Sequence, residues 1–150
     1  MQGNALDYLK AQAENSVDRV FSLDFLEHVE PSDAIQFTSE VRRVLKPGGI
    51  FIARTPSCDG PFGAAHRYND ITHKWGMTSG SAIQLMELSG FVSSSCSILD
   101  EAPVPYKISN VLRRVLFKLL TRSMGFILDI SGIAAPRVWT RSMWIIARAI

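Results

Sequence analysis

An α/β fold organised on a parallel sheet is the architecture this sequence predicts. Two apolar runs, Val17–Leu23 and Ile50–Ala53, flank a segment of helical periodicity, and that order is a βαβ unit. The runs are nearly continuous rather than alternating, as in strands covered on both faces. Ligands of such sheets sit just beyond the carboxyl ends of the strands, which directs attention to Asp24–Glu30.

The chain has 150 residues, 47% of them apolar, and a formal net charge of +2. That length suits a single domain with its own core. No run or face is strongly basic, so a nucleic-acid partner is not expected. Cys58 and Cys96 stand far apart and form no C-x-x-C pair, which fits structural thiols in a reducing compartment. Met1–Lys10 is polar and has no leader-like apolar core. The most apolar segment, Leu112–Ala135, is broken by Arg113, Arg114, Lys118, Arg122 and Asp129 and is unsuited to spanning a bilayer. A soluble, cytoplasmic protein is the expectation.

Taken in order, Leu6, Leu9 and Ala13 suit one side of a short helix ahead of the first strand. Pro31 suits the first turn of a second helix, because the missing N–H would have no partner there. Ala34, Phe37, Val41, Val44 and Leu45 recur at three- and four-residue spacings and form its apolar face. Lys46-Pro47-Gly48-Gly49 is expected to stop the helix in a turn before Ile50–Ala53. Ser57–Met77 shows no periodicity, and long irregular segments in compact domains are commonly binding loops. Thr78 is a candidate N-cap for a helix over Ser79–Ser89 that Gly90 would end. Phe91–Leu99 alternates apolar and serine positions and is predicted to be an edge strand. Pro103 and Pro105 bracket a linker. A helix is expected over Lys107–Met124, packed on the core through Ile108, Val111, Leu112, Val115, Leu119 and Leu120. An apolar stretch reaches Pro136, and Arg141–Arg148 is the final strand.

On these residues the sequence resembles class I S-adenosylmethionine-dependent methyltransferases. DRVFSLDFLEHV, the helix that follows and VLKPGGIFIA (Val44–Ala53) match the segment after that family's central strands. HRYNDITHKWGMTSGSAIQLMELSGF (His66–Phe91) is similar to the substrate side of members associated with glycan and polysaccharide biosynthesis. The resemblance implies a Rossmann-like class I methyltransferase fold whose sheet order, in the family's own count, is 3-2-1-4-5-7-6. This chain matches the portion 4-5-7-6. No glycine-rich turn occurs in Met1–Ser16, so a domain truncated at its N-terminus is expected. Residues 1–56 would close the cofactor-binding half, and 57–150 would form the substrate side, with a helical insertion at 107–136.

The resemblance also assigns a site. S-adenosylmethionine would meet Asn4, Ala5 and Leu6 at its adenine, and Asp24, Phe25, Leu26 and His28 at the end of the first strand present. In the loop, His66, Asp70 and His73 are candidates for the catalytic groups, since a hydroxyl acceptor gains from a base that titrates near neutrality. Arg67 is a candidate for an anionic group on the acceptor, and Trp75 for a sugar face. One carboxylate and two histidines across eight positions do not establish a metal site, so no metal is expected.

The function expected is methyl transfer to an oxygen of a sugar or other small polar acceptor, with activity of this chain alone in question. The competing expectation is a non-catalytic module that pairs through the open edge of Val17–Leu23 with itself or a partner. A nicotinamide-dependent enzyme is disfavoured, because no residue pattern resembles that chemistry. Peripheral contact of the basic helix with an anionic membrane is a minor alternative to a core-packed helix.

Overall fold

The computed structural model describes residues 3–101 and 108–150. Four strands form one mixed sheet in the order β1-β2-β4-β3: β1 is Val17–Leu23, β2 Leu45–Pro56, β3 Cys96–Asp100 and β4 Ser142–Arg148. β1 and β2 are parallel, and β4 runs antiparallel to both β2 and β3. In the family's count this is 4-5-7-6, the order expected from the sequence. β1 and β3 are the sheet's edges among the described residues, and Phe21 and Leu23 on β1 are more than half exposed.

The helices are α1 (Ala5–Lys10), α2 (Pro31–Val44), α3 (Gly63–Tyr68), α4 (Ser79–Leu88) and α5 (Ile108–Ile130). α2 forms the βαβ crossover and buries Ala34, Phe37, Val41 and Val44. Their targets on the sheet are Leu45, Phe51 and Ala53, and α4 adds Ala82, Leu85 and Met86 to the same core. Phe37, Phe51 and Phe91 run through it as an aromatic file, with centroids 6.5 and 6.4 Å apart. Thr38, inside this layer, is satisfied by the Ala34 carbonyl and by a short contact with the Ser89 hydroxyl, which ties α2 to the end of α4.

Three elements differ from the sequence expectation. Lys46-Pro47-Gly48-Gly49 does stop α2, yet it does so inside a twelve-residue β2 rather than before it. The ladder skips there: Val17 pairs with Leu45 and Arg19 already with Ile50. Gly48 takes φ +79°, and a Cβ on Gly49 would lie 2.9 Å from the Lys46 carbonyl oxygen. The glycines therefore build a bulge at the strand's entry rather than a free turn.

The second difference is at Phe91–Leu99. Ser93–Ser95 forms a 3₁₀ turn, and the strand starts only at Cys96. The Ser95 hydroxyl donates to the Val92 carbonyl, so a local side-chain bond competes with the ladder.

The third difference is α5. It extends to Ile130, and none of its residues is buried, so the expected core-packed helix is not what forms. Asn110, Arg114, Phe117, Thr121, Met124, Gly125 and Leu128 are its half-buried positions, one stripe at helical spacing. Ile108, Leu112, Val115, Leu119, Phe126 and Ile130 form the opposite stripe and are turned outward. The linker bracketed by Pro103 and Pro105, and the expected helix start at Lys107, lie outside the described residues.

Candidate active site

The site is assembled at the carboxyl ends of β1 and β2. β1 is followed by Asp24, whose φ of +49° swings the chain out of the sheet into a 3₁₀ turn, Leu26–His28. Asp24 still donates its N–H to the Arg54 carbonyl, so the ladder holds up to the turn. Asp24 also pairs with the Arg54 guanidinium through a short contact, and Glu101 lies 3.5 Å from the other side of that guanidinium. The Asp24 hydrogen bond, then its charge, pushes the Arg54 pKa up. Arg54 is thus spoken for by two carboxylates.

The loop 57–77 is not irregular throughout: α3 forms within it, and its ends are stitched down. Cys58 N–H donates to the Met77 carbonyl at 2.8 Å, and Ser57 N–H to the Arg141 carbonyl at 2.8 Å. Asp59 accepts from the N–H groups of Ser79 and Val138, joining the loop to α4 and to the segment before β4. Lys74 N–H donates to the Glu27 carbonyl at 2.7 Å and brings the loop over the 3₁₀ turn.

Between these walls lies a cleft of about 400 Å³, lined among others by Asp24, Glu27, His28, His66, Asp70 and His73. All three proposed catalytic residues therefore face one space. Asp70 accepts the Thr72 hydroxyl at 2.6 Å and the Thr72 N–H at 2.8 Å, and the hydroxyl, then the N–H, holds its carboxyl below the usual carboxylate range. The Thr72 oxygen lies 2.9 Å from His28 Nδ1. Its own proton goes to Asp70, so it accepts from His28 Nδ1–H, and Nε2 of His28 has no hydrogen-bond partner among the described residues. His73 Nδ1 sits 3.3 Å from the Arg67 carbonyl, an obligate acceptor, so the same tautomer follows. The His28 and His73 rings meet edge to face at 4.9 Å.

Glu27 was not among the site residues expected from the sequence. It is 3% exposed, lines the cleft and accepts the Thr55 hydroxyl at 3.1 Å through Oε2. Glu27, His28 and His73 each offer a ligand atom, all within 4.8 Å of one another. The metal-ligand types that gather are thus not the loop's own His66, Asp70 and His73. No spacing rule applied to one segment finds a set drawn from two. Arg141, also missed, stands at the rim of the same cleft.

The two residues expected to meet the acceptor make contacts within the domain. Arg67 donates to the Lys74 carbonyl at 2.7 Å and rests over the Tyr68 ring at 5.0 Å, closing its own loop. Trp75 packs on the core and donates Nε1–H to the Leu26 carbonyl at 2.9 Å, so it is a brace under the turn.

The expected cofactor residues divide. Asn4, Ala5, Leu6 and Phe25 line one apolar slot of about 480 Å³ with Val29 and Phe37. Asn4 Oδ1 caps α1 by accepting from Leu6 and Asp7 N–H, leaving its amide nitrogen as the available group. Asp24 and His28 face the polar cleft instead. Leu26 is fully buried, so its side chain belongs to the core rather than to a ligand.

Comparison with known proteins bears on the fold. Residues 1–53 match the family model described as a methyltransferase domain. No curated protein matches the sequence. A S-adenosylmethionine-dependent methyltransferase from Archaeoglobus fulgidus is similar in structure, with a TM-score of 0.69 at 19% identity over 99% of this chain and 66% of that one. One from Thermotoga maritima gives a TM-score of 0.65 at 15% identity over 100% of this chain and 63% of that one. Phosphoethanolamine N-methyltransferase 2 of Haemonchus contortus, solved with S-adenosyl-L-methionine, gives 0.56 at 18% identity over 98% and 35%. The chain has the fold of class I S-adenosylmethionine-dependent methyltransferases, and its first third carries the methyltransferase-domain signature. It spans under two thirds of the length of these solved structures.

Proposed function

We propose that this chain takes part in S-adenosylmethionine-dependent methyl transfer to an oxygen of a sugar or other small polar acceptor. The observation that carries the reading is one polar cleft, holding His66 and two imidazoles whose Nε2 atoms have no hydrogen-bond partner among the described residues, at the carboxyl ends of β1 and β2. The adjoining slot suits the cofactor's adenine: it is walled by Phe25, Phe37 and Val29, and the Asn4 amide is left over from capping. When bound, S-adenosylmethionine supplies an electrophilic methyl group. His66, whose ring makes no hydrogen bond among the described residues, takes the acceptor's hydroxyl proton, and Asp70 holds a second hydroxyl. Arg141 takes the role foreseen for Arg67 toward an anionic group on the acceptor. The test is calorimetric titration with S-adenosylmethionine, followed by transfer of labelled methyl groups to a panel of sugars and sugar phosphates. Binding without transfer to any hydroxyl acceptor counts against the oxygen assignment, and no binding counts against the chain acting alone.

A location follows from α5. No described helix is long and apolar enough to cross a membrane. Yet α5 turns its apolar stripe away from the domain, and exposed Arg113, Lys118 and Arg122 flank it. Arg114 is a fourth cation, and Asp129 is the helix's one carboxylate. An apolar stripe bordered by cations complements an anionic lipid surface, whereas two copies would bring like charges together. The domain thus rests on such a surface through α5.

The open edge of β1 favours one competing reading, a module that pairs strand to strand. Light scattering on the eluting protein decides it: a monomer at high concentration removes edge pairing.

A further inference from the structure

We propose that Glu27, His28 and His73 bind one divalent transition-metal ion of the zinc class at the floor of the cleft. Two imidazoles and a carboxylate are a recurrent ligand set for such ions, with further positions left open to water or substrate. Three features of the arrangement point to a ligand rather than to a hydrogen-bonded cluster.

The first is the tautomers. A histidine that binds metal commonly donates its other ring N–H to a carbonyl, a carboxylate or a relay leading to one, which fixes the ring and raises its basicity. His73 does so with the Arg67 carbonyl, and His28 through Thr72 to Asp70. With Nδ1 so engaged, Nε2 is the nitrogen that each ring presents to a ligand. The next feature is Glu27. It is buried, and the Thr55 hydroxyl is the one hydrogen-bond donor to its carboxylate among the described residues. Burying a carboxylate is costly without a compensating charge, and no lysine or arginine pairs with Glu27 among the described residues. A divalent cation supplies that charge.

The last feature is proximity. The donor atoms lie within 4.8 Å of one another, while donors bonded to zinc at about 2.0–2.2 Å are separated by roughly 3.5 Å. Small turns of the two exposed-side rings close that difference without moving the buried carboxylate.

The open positions face the cleft. An acceptor hydroxyl bound there has its proton affinity lowered by the ion, and that proton passes to a ring nitrogen of His66 across the cleft. This role rests on the methyl-transfer reading; metal binding itself does not.

The experiment begins with the chain freed of metal by chelator and dialysis, then titrated with Zn²⁺ by calorimetry and with Co²⁺ by absorption. One equivalent is expected to bind, with visible Co²⁺ bands of a nitrogen and oxygen ligand set. E27Q, H28A and H73A each weaken binding by more than tenfold. T72V weakens it by about tenfold, and H66A leaves it unchanged. Circular dichroism on each variant reports whether it folds, and the Co²⁺ spectrum of the unmodified chain stands even if a variant does not. Absence of binding by the unmodified chain, binding by H28A and H73A as tight as that of the unmodified chain, or a thiolate-to-Co²⁺ band from Cys58 or Cys96 would overturn the proposal. Metal binding with no methyl transfer would overturn the functional reading and leave this one standing.

Discussion

Replacing Leu112 and Leu119 of α5 with serine tests whether its outward stripe meets lipid. The two are 60% and 57% exposed, so a little over half of each side chain is still in water. Full burial of a leucine side chain contributes about 1.5–3 kcal/mol, and inserting the exposed remainder therefore yields about 1–1.5 kcal/mol each. The L112S/L119S variant should lose about 2–3 kcal/mol of surface binding, a roughly 30- to 150-fold weaker partition. Exposed substitutions away from packed features shift stability within about 0.5 kcal/mol, so the fold should survive. The assay is co-sedimentation with vesicles of phosphatidylglycerol and phosphatidylcholine, at several salt concentrations. Neutralising Arg113, Lys118 and Arg122 should cost about 1 kcal/mol per charge on the anionic vesicles and nothing on the zwitterionic ones. Equal binding of parent and variant, or a dimer in solution that L112S/L119S dissolves, would refute the reasoning.

Other expectations concern the scaffold around the cleft. T78A removes a capping box in which the Thr78 hydroxyl accepts Ser81 N–H and Ser81 returns the bond, and it should cost about 1 kcal/mol, seen as a Tm lower by about 2–4 °C. G63A should do more harm than T78A, because the new Cβ would lie 2.4 Å from the Cys58 carbonyl oxygen, and the loop must open. Burial pushes the Cys58 and Cys96 thiols above their ordinary value of 9.0. Both stay protonated at pH 8, so alkylation there should be slower than for free cysteine and quicken only at higher pH. By linkage, a raised folded pKa gives stability that is full below the unfolded value and is lost as pH rises through the folded one. Any thiol contribution to stability therefore disappears on the alkaline side.

The sheet was legible because its information is local and repeated. Val17–Leu23 and Ile50–Ala53 carry their own apolar pattern, α2 has its stripe, and Thr78 and Gly90 mark both ends of α4. The bulge at Gly48-Gly49 was not legible as such, since a glycine pair reads as a turn until its neighbours are known: Asp18 on one side and Ala149 on the other. α5 was misjudged for a related reason. Periodicity finds an apolar stripe but does not say which way it faces, and here the mixed stripe through Phe117 meets the domain. The site behaves likewise. His66, Asp70 and His73 were found as residue types in a loop, and they do share a cleft. Glu27 was hidden because Thr55, which bonds it, and His73, which lies near it, come from other segments. The loop-closing bonds of Arg67 and Trp75 were not legible either, because residue type alone does not name a backbone partner.

The cleft and α5 are not independent features. Glu101 and Arg141 line the polar cleft and also a groove beside Arg113 and Phe117 of α5. A helix seated on a lipid surface therefore holds the cleft's rim close to that surface, within reach of an acceptor whose polar head is tethered to lipid. The consequence is a rate difference that soluble assays miss. With matched polar heads, an acceptor anchored in anionic vesicles should be methylated faster than the same head free in solution, because both reactants share one surface. L112S/L119S should abolish that advantage while leaving the rate on the free head unchanged, since neither leucine lines the cleft. A loss of rate on both acceptors would instead mean that the stripe supports the fold of the site, and the membrane reading of α5 would fall.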